Sequence, residues 1–130
     1  MHQILLRKPW SLHVDQGEDS IVVDVPDNRV QSMRYRTAVY SRRFNATPAV
    51  MSASVDLVIS DWLGELVSVE VNAVPLAFTS RAKQGVIADL DDVLMTHNHL
   101  KIALVNSDGD SPRLTGCVSL QVGEPSQKNA

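Results

Sequence analysis

Five residues carry the ligand-binding potential of this chain: Arg34, Arg36, Asp61, Trp62 and Asn72. Trp62 stands in Ser-Asp-Trp-Leu-Gly-Glu, where a turn is expected. An indole offers an apolar surface for the C–H face of a pyranose, while a carboxylate such as Asp61 or an amide such as Asn72 bonds hydroxyls. The competing reading folds Trp62 over the end of a core, the usual fate of so large an apolar ring. Arg34 and Arg36 are two residues apart. On a strand they share one face, from which guanidinium forks grip a carboxylate or phosphate. Paired with Glu70 or another acid, the same two residues make an ordinary solvated strand face.

The remaining chemistry-bearing residues are less specific. Arg42 and Arg43 complete the one concentration of basic residues. His97 and His99 have the spacing of two metal ligands on one strand face. Neither a cysteine nor a third histidine stands near them, so a chance pair in a turn is the better reading. Asn106-x-Asp108-x-Asp110 resembles the start of a calcium loop, but Cys117 occupies the position of the bidentate Glu, which excludes an EF-hand. A looser Ca²⁺ site near Asp108 is a weaker alternative. Asn45-Ala46-Thr47 fits a glycosylation acceptor, with little force before Pro48. Cys117 lies in a strand-like run and is expected to be a small buried residue rather than a nucleophile. GxSxG, HExxH, CxxC and Gly-rich phosphate loops are all missing from the sequence. The expectation is no enzyme, no metal and no cofactor.

Composition bounds what can hold these residues. The chain has 130 residues, 44% of them hydrophobic, which suits one domain with a real core. A net charge of −3 argues against a nucleic-acid partner, which favours basic surfaces. The one cysteine excludes an intrachain disulfide. Before Arg7 and Lys8 there are only three consecutive aliphatic residues, too few for a signal peptide, and no run is long enough for a membrane span. These features predict a soluble, cytoplasmic protein. Aromatic residues make up 5% of the chain, leaving few for a sugar-stacking platform.

Strands are predicted nearly throughout. Val67, Val69 and Val71 alternate with Ser68, Glu70 and Asn72, the period of a half-buried strand. Trp10–Val14 and Ile21–Val25 flank a turn at 16–19, and 33–44 is a long extended run. Ala53, Val55, Leu57 and Ile59 alternate with Ser54, Asp56, Val58 and Ser60. Across the turn at 61–64, the strand to Asn72 is expected to return antiparallel to them. Leu100, Ile102 and Leu104, then Val118, Leu120 and Val122, read as two further strands. Asp89–Met95 is the one expected helical turn, with Asp89 as its cap. Trp10 and Tyr40 are core candidates. About eight short strands predict an all-β, two-sheet antiparallel sandwich, most simply a jelly roll, over residues 1–123, followed by a disordered tail at 124–130.

The order of these elements resembles the N-terminal sugar-binding domain of the family 2 glycoside hydrolases, a jelly roll of the galactose-binding-domain-like group. The early tryptophan strand and the strand ending in V-P look like Pro9-Trp10-Ser11-Leu12 and Val23-Asp24-Val25-Pro26. The family's W-Y-R-R-x-F strand is similar to Val39-Tyr40-Ser41-Arg42-Arg43-Phe44, running on to Pro48. Its strand ending in V-N-G resembles Leu66–Ala73, and its D-I-T and G-x-N-x-L elements resemble Ala88-Asp89-Leu90 and Asn98-His99-Leu100. The S-D-G and final strand look like Ser107-Asp108-Gly109 and Gly116–Leu120. The resemblance covers nearly the whole chain in order. It departs at Ala73 and Thr96, where the family has glycines, and at Val118 and Ser119, which replace the family's final aromatic and arginine after Gly116. The family's catalytic carboxylates lie on a separate TIM barrel that 130 residues cannot include.

The resemblance therefore implies a stand-alone, non-catalytic binding module for carbohydrate or another small polar ligand. Asp61 and Trp62 are its first expected contacts, and Asn72, Arg34 and Arg36 are further ones. The alternative is a structural or assembly protein acting through self-association or another protein partner, without a small ligand.

Overall fold

The computed structural model describes residues 2–15, 17–28, 34–81, 85–107 and 111–123. In chain order it contains β1 (His2–Leu5), β2 (Trp10–Val14), β3 (Ile21–Val23), β4 (Thr37–Asn45) and a single helical turn, α1 (Pro48–Met51). There follow β5 (Val55–Ile59), β6 (Glu65–Val71), β7 (Val74–Pro75), β8 (Thr79–Arg81), β9 (Gly85–Asp89), β10 (His97–Val105) and β11 (Val118–Val122). Every pairing is antiparallel. One sheet has the order β1-β11-β5-β9-β8 and the other β3-β2-β4-β10-β6-β7. The expected two-sheet jelly roll is the observed fold.

Alternation builds the layers. Along β10, Asn98, Leu100, Ile102 and Leu104 turn inward, while His97, His99 and Lys101 stay on the wet face. Ala38, Tyr40 and Phe44 of β4 meet Val55, Leu57 and Ile59 of β5 and Val118, Leu120 and Val122 of β11 in one core. Each large apolar side chain so buried contributes roughly 1.5–3 kcal/mol. Trp10 and Tyr40 belong to this core, as expected, and both polar tips are satisfied there. The Trp10 indole N–H donates to Leu6 O at 2.8 Å, and the Tyr40 hydroxyl donates to Asp27 Oδ2 at 2.6 Å.

Four local expectations are corrected. β5 and β6 do not form a hairpin: β5 pairs with β11 and β9, and β6 with β10 and β7. The chain crosses between sheets at 60–64, turning at Gly64 with φ +91°. Periodicity marks a strand and its wet face but says nothing of its partner. Val67 is not inward. The β6–β10 register slips so that Ala103 faces Ser68 while Leu104 faces Leu66, and Val67, the extra bulge residue, is 53% exposed. Leu66 packs against the core in its stead.

Asp89 ends β9 instead of capping a helix. Its carboxylate accepts the Asp91 N–H at 2.7 Å, and the turn closes with Leu94 N–H to Leu90 O at 3.0 Å. The helical turn forms at α1, where Pro48 supplies the fixed φ of a first helical position and the Thr47 hydroxyl accepts the Val50 N–H. Cys117 is exposed, one residue before β11, where the alternation has not yet begun. Asp108, Asp110 and the tail at 124–130 lie outside the described residues. Among the described residues, no helix is long and apolar enough to cross a membrane.

Candidate functional site

The end of β4 and the start of β10 are neighbours in register: His97 faces Asn45 and His99 faces Arg43. Because side chains alternate across a strand, Arg43 and Asn45 stand on the same outer face as His97 and His99. Behind them is a pair of amides. Asn98 occupies an inward position and is 3% exposed. Its Nδ2 donates to Met95 O at 2.6 Å and Phe44 O at 3.4 Å, while its Oδ1 accepts from Met95 N at 2.8 Å and Asn72 Nδ2 at 3.0 Å. Asn72 is held in turn: its Nδ2 also donates to Val93 O at 2.9 Å, and its Oδ1 accepts the His99 N–H at 3.0 Å. These two amides tie the β6–β7 turn and the 90–95 turn to β10.

Arg43, Asn45, Asn72, His97, Asn98 and His99 line one depression of about 420 Å³. That volume falls within the roughly 300–1,000 Å³ of small-molecule sites. With Asn72 and Asn98 occupied by one another and by backbone, four side chains remain to meet a ligand. The Arg43 guanidinium offers N–H donors. Asn45 Oδ1 lies 2.9 Å from His97 Nδ1. An amide oxygen only accepts, so in this contact Nδ1 is the donor and Asn45 Nδ2 is left to donate to a ligand. The His99 imidazole is pushed below its usual value, first by burial and then by the charges of Lys101 and Arg43. It is therefore neutral at pH 7 and both donates and accepts. Alternating donors and acceptors on rigid strands suit vicinal hydroxyls, each of which does both. Among the described residues, no group of three or more His, Cys, Asp or Glu side chains is placed to hold a metal ion.

The five sequence-predicted site residues do not converge. Asp61 and Trp62 precede β6 and Asn72 follows it, so seven strand residues, about 20 Å, separate them. Arg34 and Arg36 lie just before β4 and are both exposed, so they are not on a shared strand face. Arg36 O accepts the Asn106 N–H at 2.7 Å, and Val105 faces Glu65 at the start of β6, which puts the arginines at the Trp62 end. There, Trp62 is half-buried and packs its side chain against the core, while its backbone N–H donates to the exposed Asp61 carboxylate at 2.9 Å. Gly116 N–H donates to Asp61 O at 3.0 Å, an approach so close that a Cβ on Gly116 would lie 2.5 Å from Asp61 N.

Arg43, Asn45, His97 and His99 escape sequence reasoning because only register unites them. One signal was present: Asn98 breaks the apolar series Leu100, Ile102, Leu104 on its own inward face.

Fold and site together define a β-sandwich domain of the jelly-roll kind with a polar end depression. No family model matches the sequence, and no curated protein matches it. Solved structures do match. The β-D-mannosidase of Dictyoglomus thermophilum superposes with a TM-score of 0.73 at 11% identity, over 95% of this chain and 23% of the enzyme. A family 2 glycosyl hydrolase of Bacteroides cellulosilyticus gives 0.72 at 12% identity, over 96% and 21%. The FMN-binding β-glucuronidase of Faecalibacterium prausnitzii gives 0.69 at 24% identity, over 92% and 22%. The likeness is one of fold, and the chain spans less than a quarter of each of these enzymes.

Proposed function

We propose that this chain is a non-catalytic carbohydrate-binding module and that the Arg43–Asn45–His97–His99 depression is its binding site. The observation that carries the reading is the rigid placement of four hydrogen-bonding side chains on two paired strands, over a fully bonded amide hub. Its fold likeness to a minor portion of sugar-processing enzymes supports the ligand class. The depression has no aromatic platform, so the affinity is in the millimolar to high micromolar range, set by a few exposed hydrogen bonds of about 1 kcal/mol each.

Titration of the ¹⁵N-labelled protein with neutral and acidic mono- and oligosaccharides tests this. Saturable shifts at Asn45, His97 and His99 are expected for at least one sugar, and Arg43→Ala with His99→Ala should abolish them. Shifts confined to Asp61 and Trp62 would move the site to the other end of the sandwich. Silence across the panel removes the carbohydrate reading.

A second reading has its own observation. Ile21 and Val22 are 50% and 76% exposed on the edge strand β3, which suits strand-to-strand assembly with another chain. If sedimentation shows a concentration-dependent oligomer that Val22→Lys dissolves, while the sugar titration is silent, the chain is an assembly protein.

A further inference from the structure

β4 carries two adjacent arginines, and alternation sends them to opposite sides. Arg43 serves the outer depression. Arg42 turns toward the space between the sheets, where its guanidinium lies 5.7 Å from the centroid of the buried Trp10 ring. Two carbonyls orient it: Nε donates to Arg43 O at 3.2 Å, and Nη1 reaches Lys8 O at 3.5 Å. Three of its five N–H donors remain. No acidic side chain contributes to its environment among the described residues; burial alone acts on it and disfavours its charged form. A partly desolvated cation without a counter-ion is an unfavourable arrangement that an anion would relieve.

The space beside it has the shape for one. Ile4, Leu5, Leu6, Phe44, Val50 and Leu120, together with the two arginines and Asn45, line an inter-sheet cleft of about 400 Å³. Its walls come from β1, β4, β11 and α1, and most are aliphatic or aromatic. An apolar cleft with a fixed, planar fork at its side selects for an anion that is itself planar and attached to an apolar body.

We propose that this cleft is a second binding site, for a small organic carboxylate with an apolar body, held by the Arg42 fork and seated against Leu5, Phe44, Val50 and Leu120. It shares Arg43 and Asn45 with the rim of the outer depression, but its anion fork, Arg42, and its apolar walls belong to it and not to that depression, so binding at the two is told apart at Arg42 and at His97 and His99.

The test is a ¹⁵N NMR titration with 4-phenylbutyrate, with 4-phenylbutyramide as the neutral isostere. Saturable shifts are expected at Leu5, Phe44 and Val50, and in the Trp10 indole N–H, with His97 and His99 unmoved. The amide should bind at least about tenfold more weakly, the usual loss with a charge-assisted pair. Arg42→Met keeps an apolar stem over Trp10 and should weaken the carboxylate by a similar factor. If that variant fails to fold, Arg42→Lys, which keeps the charge and loses the fork, should still weaken it several-fold. Equal binding of acid and amide, shifts that map outside the cleft, or no saturation at 20-fold ligand excess would each overturn the proposal.

Discussion

Asn98 shows how much one side chain can settle. Its amide takes part in four hydrogen bonds to β4, the 90–95 turn and Asn72, one of them buried and three part-buried. Asn98→Ala strands the Met95 N–H and removes one of the two acceptors of Asn72 Nδ2, and a buried group left without a partner costs about 1–3 kcal/mol. The variant should lose about 2–4 kcal/mol in urea unfolding, and the loss should be accompanied by shifts at His99, whose N–H Asn72 holds. A change below about 0.5 kcal/mol would mean that the depression does not depend on this hub. Tyr40 gives a pH-dependent counterpart. Burial, then the hydrogen bond and charge of Asp27, raise its phenol far above the ordinary value near 10. The unfolded chain gives up that proton at about pH 10 and the folded chain does not. The stabilisation is therefore complete below pH 10 and lost as pH climbs beyond it. Alkaline unfolding should steepen above pH 10. Tyr40→Phe should cost about 1–2 kcal/mol at pH 7 and flatten that alkaline fall. At this scale the sequence was informative about burial. Trp10 and Tyr40 are large, mostly apolar and sit on alternating strands, so their place in the core could be read directly. Asn98 and His99 could not, because what they bond depends on which strand lies opposite.

Among the elements, the β6–β7 hairpin is the point where sequence and geometry are in tension. Asn72 and Ala73 have φ of +56° and +67°, so both central residues of the two-residue turn between the paired Val71 and Val74 are left-handed. That is the type I′ pattern, which matches the twist of the flanking strands and favours Asn-Gly. Asn tolerates the conformation. Ala73 holds it at a cost of roughly 1 kcal/mol, because its Cβ crowds the following carbonyl. Ala73→Gly should stabilise the domain by about 0.5–1 kcal/mol after the entropy of the freer unfolded chain is counted, raising Tm by a few degrees in calorimetry. An unchanged or lower Tm would show that the turn is not strained. The same comparison separates legible from illegible elements. β2, β4, β5, β6, β10 and β11 have three or more alternating positions and could be read from the sequence. β1, β7 and β8 have two to four residues, too few to show a period, and are defined only by the edges they pair with. The bulge at Val67 left no trace either, since a perfect Val-x-Val-x-Val alternation continues through it.

For the molecule as a whole, the jelly-roll order was legible because several weak motifs recur in one sequence of elements, and a TM-score of 0.73 at 11% identity is what a shared topology with divergent side chains looks like. That topology depends on contacts between distant segments, above all β1, whose His2–Leu5 pair with Ser119–Val122 of β11. β1 and the residue after it deliver more than four ladder positions. Ile4 packs on the core, Leu6 is 4% exposed within it, and Leu6 O is the acceptor for the Trp10 indole. Losing two such aliphatic side chains costs about 2–5 kcal/mol each, and the stranded indole N–H adds about 1–3 kcal/mol. Against a typical stability of about 5–15 kcal/mol, that loss is comparable to the whole. Deletion of residues 1–6 should therefore abolish the cooperative thermal transition and the near-ultraviolet circular dichroism of the packed aromatics, and the exposed edge of β11 should make the product prone to self-association. Retention of a sharp transition with less than about 1 kcal/mol lost would show that the five-stranded sheet is complete from β11 to β8, with β1 only resting on its edge.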